Sequence, residues 1–423
     1  MKRTSDVRTS TTLSPAVRQY LIVTGNYWAF TLTDGALRML VLLHFNDLGY
    51  GPLEIAMLFV FYEAFGVITN LVGGWLGARL GLNRTMNIGL ATQVVALSML
   101  LVPAGWLTVP WVMAAQALSG IAKDLNKMSA KSTIKLLLPE QAQHALYRWV
   151  ALLTGSKNAL KGIGFFAGGA LLTLFGFRGA IAIMASALLL VFLFSLLTLQ
   201  RDLGRASNAP RFSHLLSRSR AVNDLAAARL FLFGARDVWF VVALPVYLAT
   251  TLHWSHWSIS GFLACWIIGY GLVQSLAPHV TGSGQRSSPP AISKPPPDGR
   301  SAFGWAALLS LVPALIAMLL SSGYSAQPVL IAGLLVFGAL FAINSSLHSY
   351  LIVSYARSDG VSLDVGFYYM ANAMGRLLGT VLSGWLFQRY GLATCLWASS
   401  ASVACAALLS LALPRQTHHP AID

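Results

Sequence analysis

The sequence predicts an all-α polytopic membrane protein with twelve transmembrane helices in two pseudo-symmetric six-helix bundles. Three observations carry that expectation. The 423 residues are 56% hydrophobic and only 10% charged, with a mean hydropathy of +0.65, whereas a soluble domain needs roughly a quarter of its residues charged. Apolar stretches of about 20 residues, the length that crosses a bilayer, recur along the chain between short polar or Gly/Pro-containing turns. One short glycine pattern also returns at corresponding places in both halves.

The first bundle occupies 1–199. Its tail, "MKRTSDVRTSTTLSPAVRQY", is basic and polar and lacks a small-residue cleavage signature, so it reads as a lead-in and not a signal peptide. Spans are expected at 20–45, 53–77, 85–104, 108–137, 146–175 and 178–199. A polar linker over 200–224 follows, and the second bundle, 225–423, places spans at 225–250, 258–280, 303–321, 327–356, 365–387 and 391–413. Within it, "TGSGQRSSPPAISKPPPDGRS" at 281–301 reads as a flexible, partly polyproline-like loop.

A net charge of +15 would suggest nucleic acid in a soluble protein, but its placement decides otherwise. Arg201, Arg205, Arg211, Arg218 and Arg220 lie in the linker, while the opposite loops hold only Arg178 and Arg389. That bias places both termini in the cytoplasm and makes the lipid bilayer, not nucleic acid, the partner of the basic segments. Cys265, Cys395 and Cys405 fall in predicted spans without metal or redox spacing. His253-x-x-His256 sits beside Trp254 and Trp257 and reads as an interfacial loop, not a metal site. No metal, cofactor or catalytic constellation is expected, and no phosphate loop for ATP is present.

The repeat is Gly-x-Leu-x4-Gly, ending the second helix of a three-helix unit: Gly74 to Gly81, Gly169 to Gly176 and Gly384 to Gly391, with a remnant at Ser275, Ala277 and Gly282. Four such units in two halves are the plan of a transporter that rocks around a site near the midplane.

Charge inside the spans marks that site, because an ionisable residue there costs about 2.5–3.5 kcal/mol on insertion scales. Lys123, Lys127, Lys131 and Lys135 recur at a spacing of four, on one helix face. Lys131 and Lys135 are expected to snorkel to cytoplasmic water. Lys123 and Lys161 fall at matched depth, with Lys127 and Lys157 a turn lower. Asp34 and Arg38 lie on span 1, and Arg236 and Asp237 on its counterpart, span 7. Structural ion pairs are open for Asp34 with Arg38 and for Asp237 with Arg229 or a neighbouring helix. Arg38, Lys123, Lys127, Lys157, Lys161 and Arg236 are the candidate substrate-binding residues. The acids Asp34, Glu63, Asp124 and Asp237 are fewer and are the candidates for proton coupling. A surplus of lysine and arginine points to an anionic small molecule carrying phosphate-like groups.

The stretch "GGWLGARLGLNR" resembles the loop signature of the major facilitator superfamily, with Gly74, Leu76, Gly81 and Arg84 in place and Ala78 where an Asp is usual. "GNYWAFTLTDGALRMLVLLHF", "SGIAKDLNKMSAKS", "TGSKNALKG" and "FLFGARDVWFVVALPV" resemble its organoarsenical efflux permeases, the ArsJ type. That resemblance implies a monomeric, multi-pass protein of the bacterial inner membrane that exports 1-arseno-3-phosphoglycerate and confers arsenate resistance. It also implies a functional link to glyceraldehyde-3-phosphate dehydrogenase, which forms the labile cargo from arsenate. An antiporter for a non-arsenical sugar phosphate remains open. So do a membrane enzyme using His348 with Ser345 or Ser346, and a sensor docking through 281–301.

Overall fold

The computed structural model describes residues 15–49, 58, 60–138, 142–200, 203–206, 219–254, 256–281 and 296–414. The first fourteen residues, the linker arginines Arg201, Arg211 and Arg218, and 282–295 of the expected flexible loop lie outside them. So do the side chains of Glu63 and His256.

The described chain is helical: α1 (Pro15–Asp47), α2 (Val60–Leu80), α3 (Leu82–Met99), α4 (Val109–Leu137), α5 (Gln143–Thr198), α6 (Arg220–Phe240), α7 (Ala243–Thr250), α8 (His256–Val280), α9 (Gly299–Ser321), α10 (Ala326–Tyr355) and α11 (Val361–Ser410). Six of the described helical stretches are long and apolar enough on their own to cross a membrane. Two of these, α5 and α11, run for 56 and 50 residues and break at Gly176 and Gly391. At about 1.5 Å per residue each is far longer than a bilayer and supplies two spans. With α6 and α7 together as span 7, the order of twelve spans is that expected from the sequence. Several boundaries move by a few residues: α1 begins at Pro15 and α11 at Val361, ahead of the expected spans, α6 begins at Arg220, inside the expected linker, and α9 begins at Gly299, where Asp298 caps it by accepting from the backbone N–H of Arg300 (3.0 Å) and Ser301 (3.1 Å).

The glycine repeat has a backbone explanation. Gly81, Gly176 and Gly391, its last residues, all have positive φ, at 97°, 66° and 78°. Each turns the chain out of one span and into the next, a conformation that a side chain would strain. Gly81 is followed at once by α3. Ala78, at the usual Asp position of the loop, is fully buried, and its carbonyl accepts from Ala206 N–H (2.8 Å) while Leu82 N–H donates to Leu203 (2.8 Å). A strip of the linker thereby seals this loop through backbone bonds.

Close approaches between helices reveal the pseudo-symmetry. In α5, Gly164 meets the Leu32 carbonyl and Gly168 that of Ala36; in α11, Gly375 meets the Leu230 carbonyl and Gly379 that of Gly234. Gly155 and Gly366, each 211 positions from its counterpart, cross to the other half. Gly155 lies against Gly271 and Ser275 of α8, and Gly366 against Asn70 and Gly74 of α2. Bilayer lipid is as apolar as a leucine side chain, so tight packing of small residues has to supply the association that hydrophobic burial supplies in water. This register makes Ser275 the equivalent of Gly74, and Arg236 the equivalent of Arg38.

The halves meet mainly at one end. That end carries both chain ends: Gln19 of α1 bonds the Thr198 carbonyl, and Tyr355 bonds that of Pro414. There α4 packs on α10 and α11, α5 on α8 and α10, and α2 on α11. Ser362 donates to the Gly74 carbonyl (2.8 Å), and Tyr350 and Ser354 both donate to Gln143 (3.1 and 3.2 Å). The conformation is closed at the termini end. Replacing Gly366 by Val drives a side chain into α2 backbone and should cost about 1–3 kcal/mol in thermal melting of the purified protein. Gly384→Val on the same helix meets open space and should leave the melting point unchanged.

Candidate anion-binding site

The charged side chains expected inside the spans converge on the interface between the halves. The first half supplies a layered arrangement around Tyr62 of α2, a fully buried residue. Its hydroxyl donates to Asp34 Oδ1 at 2.7 Å. Its ring carries the Arg38 guanidinium at 4.0 Å from its centre and Lys123 Nζ at 3.8 Å. One aromatic residue thus ties the acid of α1 to two cations, through a hydrogen bond and through the negative face of its ring. Asp34 and Arg38, for which a structural ion pair was open, both engage Tyr62.

A turn further along α4, Lys127 bonds Asp124 Oδ1 at 2.6 Å, with both side chains largely buried. Lys127 also lies over the Tyr369 ring of α11 at 4.6 Å. Lys157 of α5 is within electrostatic reach of Lys127, Lys123, Asp34 and Arg376, which places it in the same group. Lys161 sits beside it, its carbonyl packed against Gly35, next to Asp34.

The second half supplies Arg236 and Asp237, bonded at 2.6 Å. Asp237 is completely buried and is held from its other side by Arg376 of α11 at 3.2 Å. Of the two partners left open for Asp237, Arg229 or a neighbouring helix, the structure supplies the second, and Arg229 turns elsewhere. It is 3% exposed, donates to Asn372 (2.9 Å) and the Ser345 carbonyl (3.3 Å), and stacks on Phe233 at 3.8 Å. Arg376, Tyr62 and Tyr369 are the residues that sequence reasoning passed over. A charge two turns past "YY" in "VGFYYMANAMGR" was the available signal for Arg376.

Lys131 does not snorkel, while Lys135 stays partly exposed. Lys131 is 2% exposed and bonds the Tyr369 hydroxyl and Ser349 Oγ of the other half, and Lys135 bonds the Ser354 carbonyl at 3.0 Å. The proximity of α10 and α11 removes the water the Lys131 stem was expected to reach. His348 is fully buried, and among the described residues its ring nitrogens make no hydrogen bond to Ser345 or Ser346. Ser345 instead accepts from Gln274. The nucleophile and base pair considered for an enzyme is not assembled.

A family model described as Major Facilitator Superfamily matches residues 21–288, more than half of the chain. The chain belongs to the major facilitator superfamily. Its fold is similar to that of the human organic anion transporter MFSD10 (TETRAN), at TM-score 0.71 and 17% identity over 94% of this chain and 100% of that one. It is also similar to a bacterial homologue of the iron transporter ferroportin in an outward-facing state, at 0.71 and 12% over 93% and 98%. The E. coli fucose:proton symporter FucP aligns at 0.69 and 14% over 93% and 99%. No curated protein sequence matches. Membership of this superfamily makes the protein a multi-pass secondary transporter of a small molecule.

Asp237 holds two arginines from two helices, and its removal takes from both the acid they share. Asp237→Asn should therefore lower stability by about 3 kcal/mol, in the range for breaking a buried pair from one side. Thermal unfolding in detergent measures it. Arg376→Gln, at a 38% exposed partner, should cost clearly less.

Proposed function

We propose that this protein exports an organic anion bearing phosphate and arsenate groups, 1-arseno-3-phosphoglycerate, and so confers resistance to arsenate. The observation that carries the reading is the excess of cations over acids at the interface of the halves. Arg38, Lys123, Lys127, Lys157, Lys161, Arg229, Arg236 and Arg376 stand there against Asp34, Asp124 and Asp237 among the described side chains. Such a group calls for further negative charge in a bilayer, and a small, multiply charged anionic cargo supplies it. The similarity of the four sequence stretches to organoarsenical permeases names the cargo. Glyceraldehyde-3-phosphate dehydrogenase, acting on arsenate in place of phosphate, is its source in this reading. The positive bias of the linker supports cytoplasmic termini, in a bacterial inner membrane.

Lysine and arginine divide the work. The ammonium groups of Lys123 and Lys157 are point charges that follow an oxyanion, and Lys127 and Lys161 flank them. Arg38 and Arg236, at equivalent positions of the two halves, present planar forks that engage two oxygens at once. The arriving anion competes for cations now resting on the faces of Tyr62 and Phe233. Cells lacking other arsenate resistance should gain it from this protein only when the dehydrogenase is present. Lys123→Gln or Lys157→Gln should abolish that resistance with membrane expression intact. Arg38→Lys and Arg236→Lys should each reduce it by at least tenfold, and normal transport by both would contradict the bidentate role. Resistance unaffected by loss of the dehydrogenase would overturn the cargo assignment.

Asp34, Glu63, Asp124 and Asp237 stand as candidates for coupling export to protons. Asp237 and Asp124 are bound to arginine and lysine, which suits them to structural roles. Asp34 accepts from a neutral tyrosine and adjoins Arg38, so it suits exchange of a proton for the cargo's charge. An inside-negative potential already favours anion exit by about 2.3 kcal/mol per charge per 100 mV. In vesicles with a pH gradient, Asp34→Asn should therefore abolish the response to pH while leaving voltage-driven export. A response to pH identical in Asp34→Asn and the unmodified protein would remove Asp34 from coupling.

A further inference from the structure

We infer that Lys131 and Lys135 form a second oxyanion subsite at the termini end, held shut in this conformation by Tyr369, Ser349 and Ser354, and occupied by the cargo's phosphate-type group when the halves part there. The inference rests on the anionic cargo proposed above and extends it to residues outside that site. Lys131 crosses from α4 to the other half, where its Nζ bonds the Tyr369 hydroxyl and Ser349 Oγ. Lys135, one turn on, bonds the Ser354 carbonyl (3.0 Å). None of these three acceptors is charged.

The charges acting on Lys131 are those of Arg229, Lys157 and Lys127, all positive. It also lies over the Tyr369 ring at 5.0 Å, a ring it shares with Lys127. A buried ammonium among cations, satisfied only by hydroxyls, binds an anionic oxygen more strongly than it binds its present partners. The same contacts that close the termini end are therefore the ones an oxyanion displaces. Four residues of helix advance about 6 Å, so Lys135, Lys131, Lys127 and Lys123 form equal steps on one face from that end to the Tyr62 site. The arrangement makes the cargo itself the agent that opens the closed end. A neutral solute, unable to compete for Lys131, leaves it shut.

The test uses the full-length protein with Cys265, Cys395 and Cys405 replaced by Ser and spin labels on cysteines at Arg79 and Ser358, exposed positions at the termini end of each half. The probe is 3-phosphoglycerate, and its binding is measured separately by equilibrium dialysis. In the parent protein the short label distance should dominate without the probe, and a longer one should appear with it. Lys131→Gln should show the longer distance without the probe, with the open population raised about tenfold, the loss expected for one charge-assisted hydrogen bond. The probe should then change little. Tyr369→Phe, which keeps the ring and removes the hydroxyl, should also open the end yet retain the response to the probe, and it decides the matter should Lys131→Gln not fold. If the parent binds the probe but Lys131→Gln and Tyr369→Phe both keep parental distances and response, the lysines are struts and this inference fails alone. If the parent binds no probe, the anionic cargo fails, and the subsite with it.

Discussion

Every other feature of this protein depends on keeping a surplus of positive charge inside a membrane. The cost of each cation is met by three kinds of partner: a carboxylate, an aromatic face, or a hydroxyl of the opposite half. Asp237 anchors Arg236 and Arg376, and Asp124 anchors Lys127. Tyr62 lies against Arg38 and Lys123, and Phe233 against Arg229. Aromatic faces contribute about 0.5–2 kcal/mol each without neutralising the charge. That distinction matters for transport, since a cation resting on a ring still attracts an anion, whereas one in a tight ion pair is largely spent.

Glycine makes this arrangement possible. With backbones in contact at Gly164 and Gly168 in one half and Gly375 and Gly379 in the other, spans 1 and 5, and 7 and 11, behave as rigid pairs. The charges they carry hold their relative positions as the halves rock. The cross-half contacts at Gly155 and Gly366 act differently, as tight pivots between bodies that move. The loop around Ala78 is held by backbone bonds from 203–206, without a charged side chain at that position.

Hydropathy and repeat spacing made the spans legible in the sequence, because the bilayer imposes a length and glycine imposes a conformation. The shared end of the repeat proved to be a positive-φ turn at Gly81, Gly176 and Gly391. Helix depth put Lys123 level with Lys161 and Lys127 level with Lys157, since rise per residue is fixed. Depth on one helix says nothing of what another helix places opposite, so the partners came only from the structure: Tyr62 against both Asp34 and Arg38, Arg376 as the neighbouring-helix partner of Asp237, and Lys131 turned from solvent into an interface. Tyr62 and Tyr369 were invisible as site residues because an aromatic in a span reads as packing until a cation is seen on its face.

The account's central claim is that the cargo is an anion made inside the cell and recognised by its negative charge. Everted membrane vesicles containing this protein, supplied with radioactive arsenate, glyceraldehyde 3-phosphate, NAD and glyceraldehyde-3-phosphate dehydrogenase, test it most directly. The account predicts that arsenic enters these vesicles only when every component is present, and that excess 3-phosphoglycerate suppresses the uptake while glycerol does not. Uptake of arsenate without the dehydrogenase, or uptake indifferent to 3-phosphoglycerate, would contradict it.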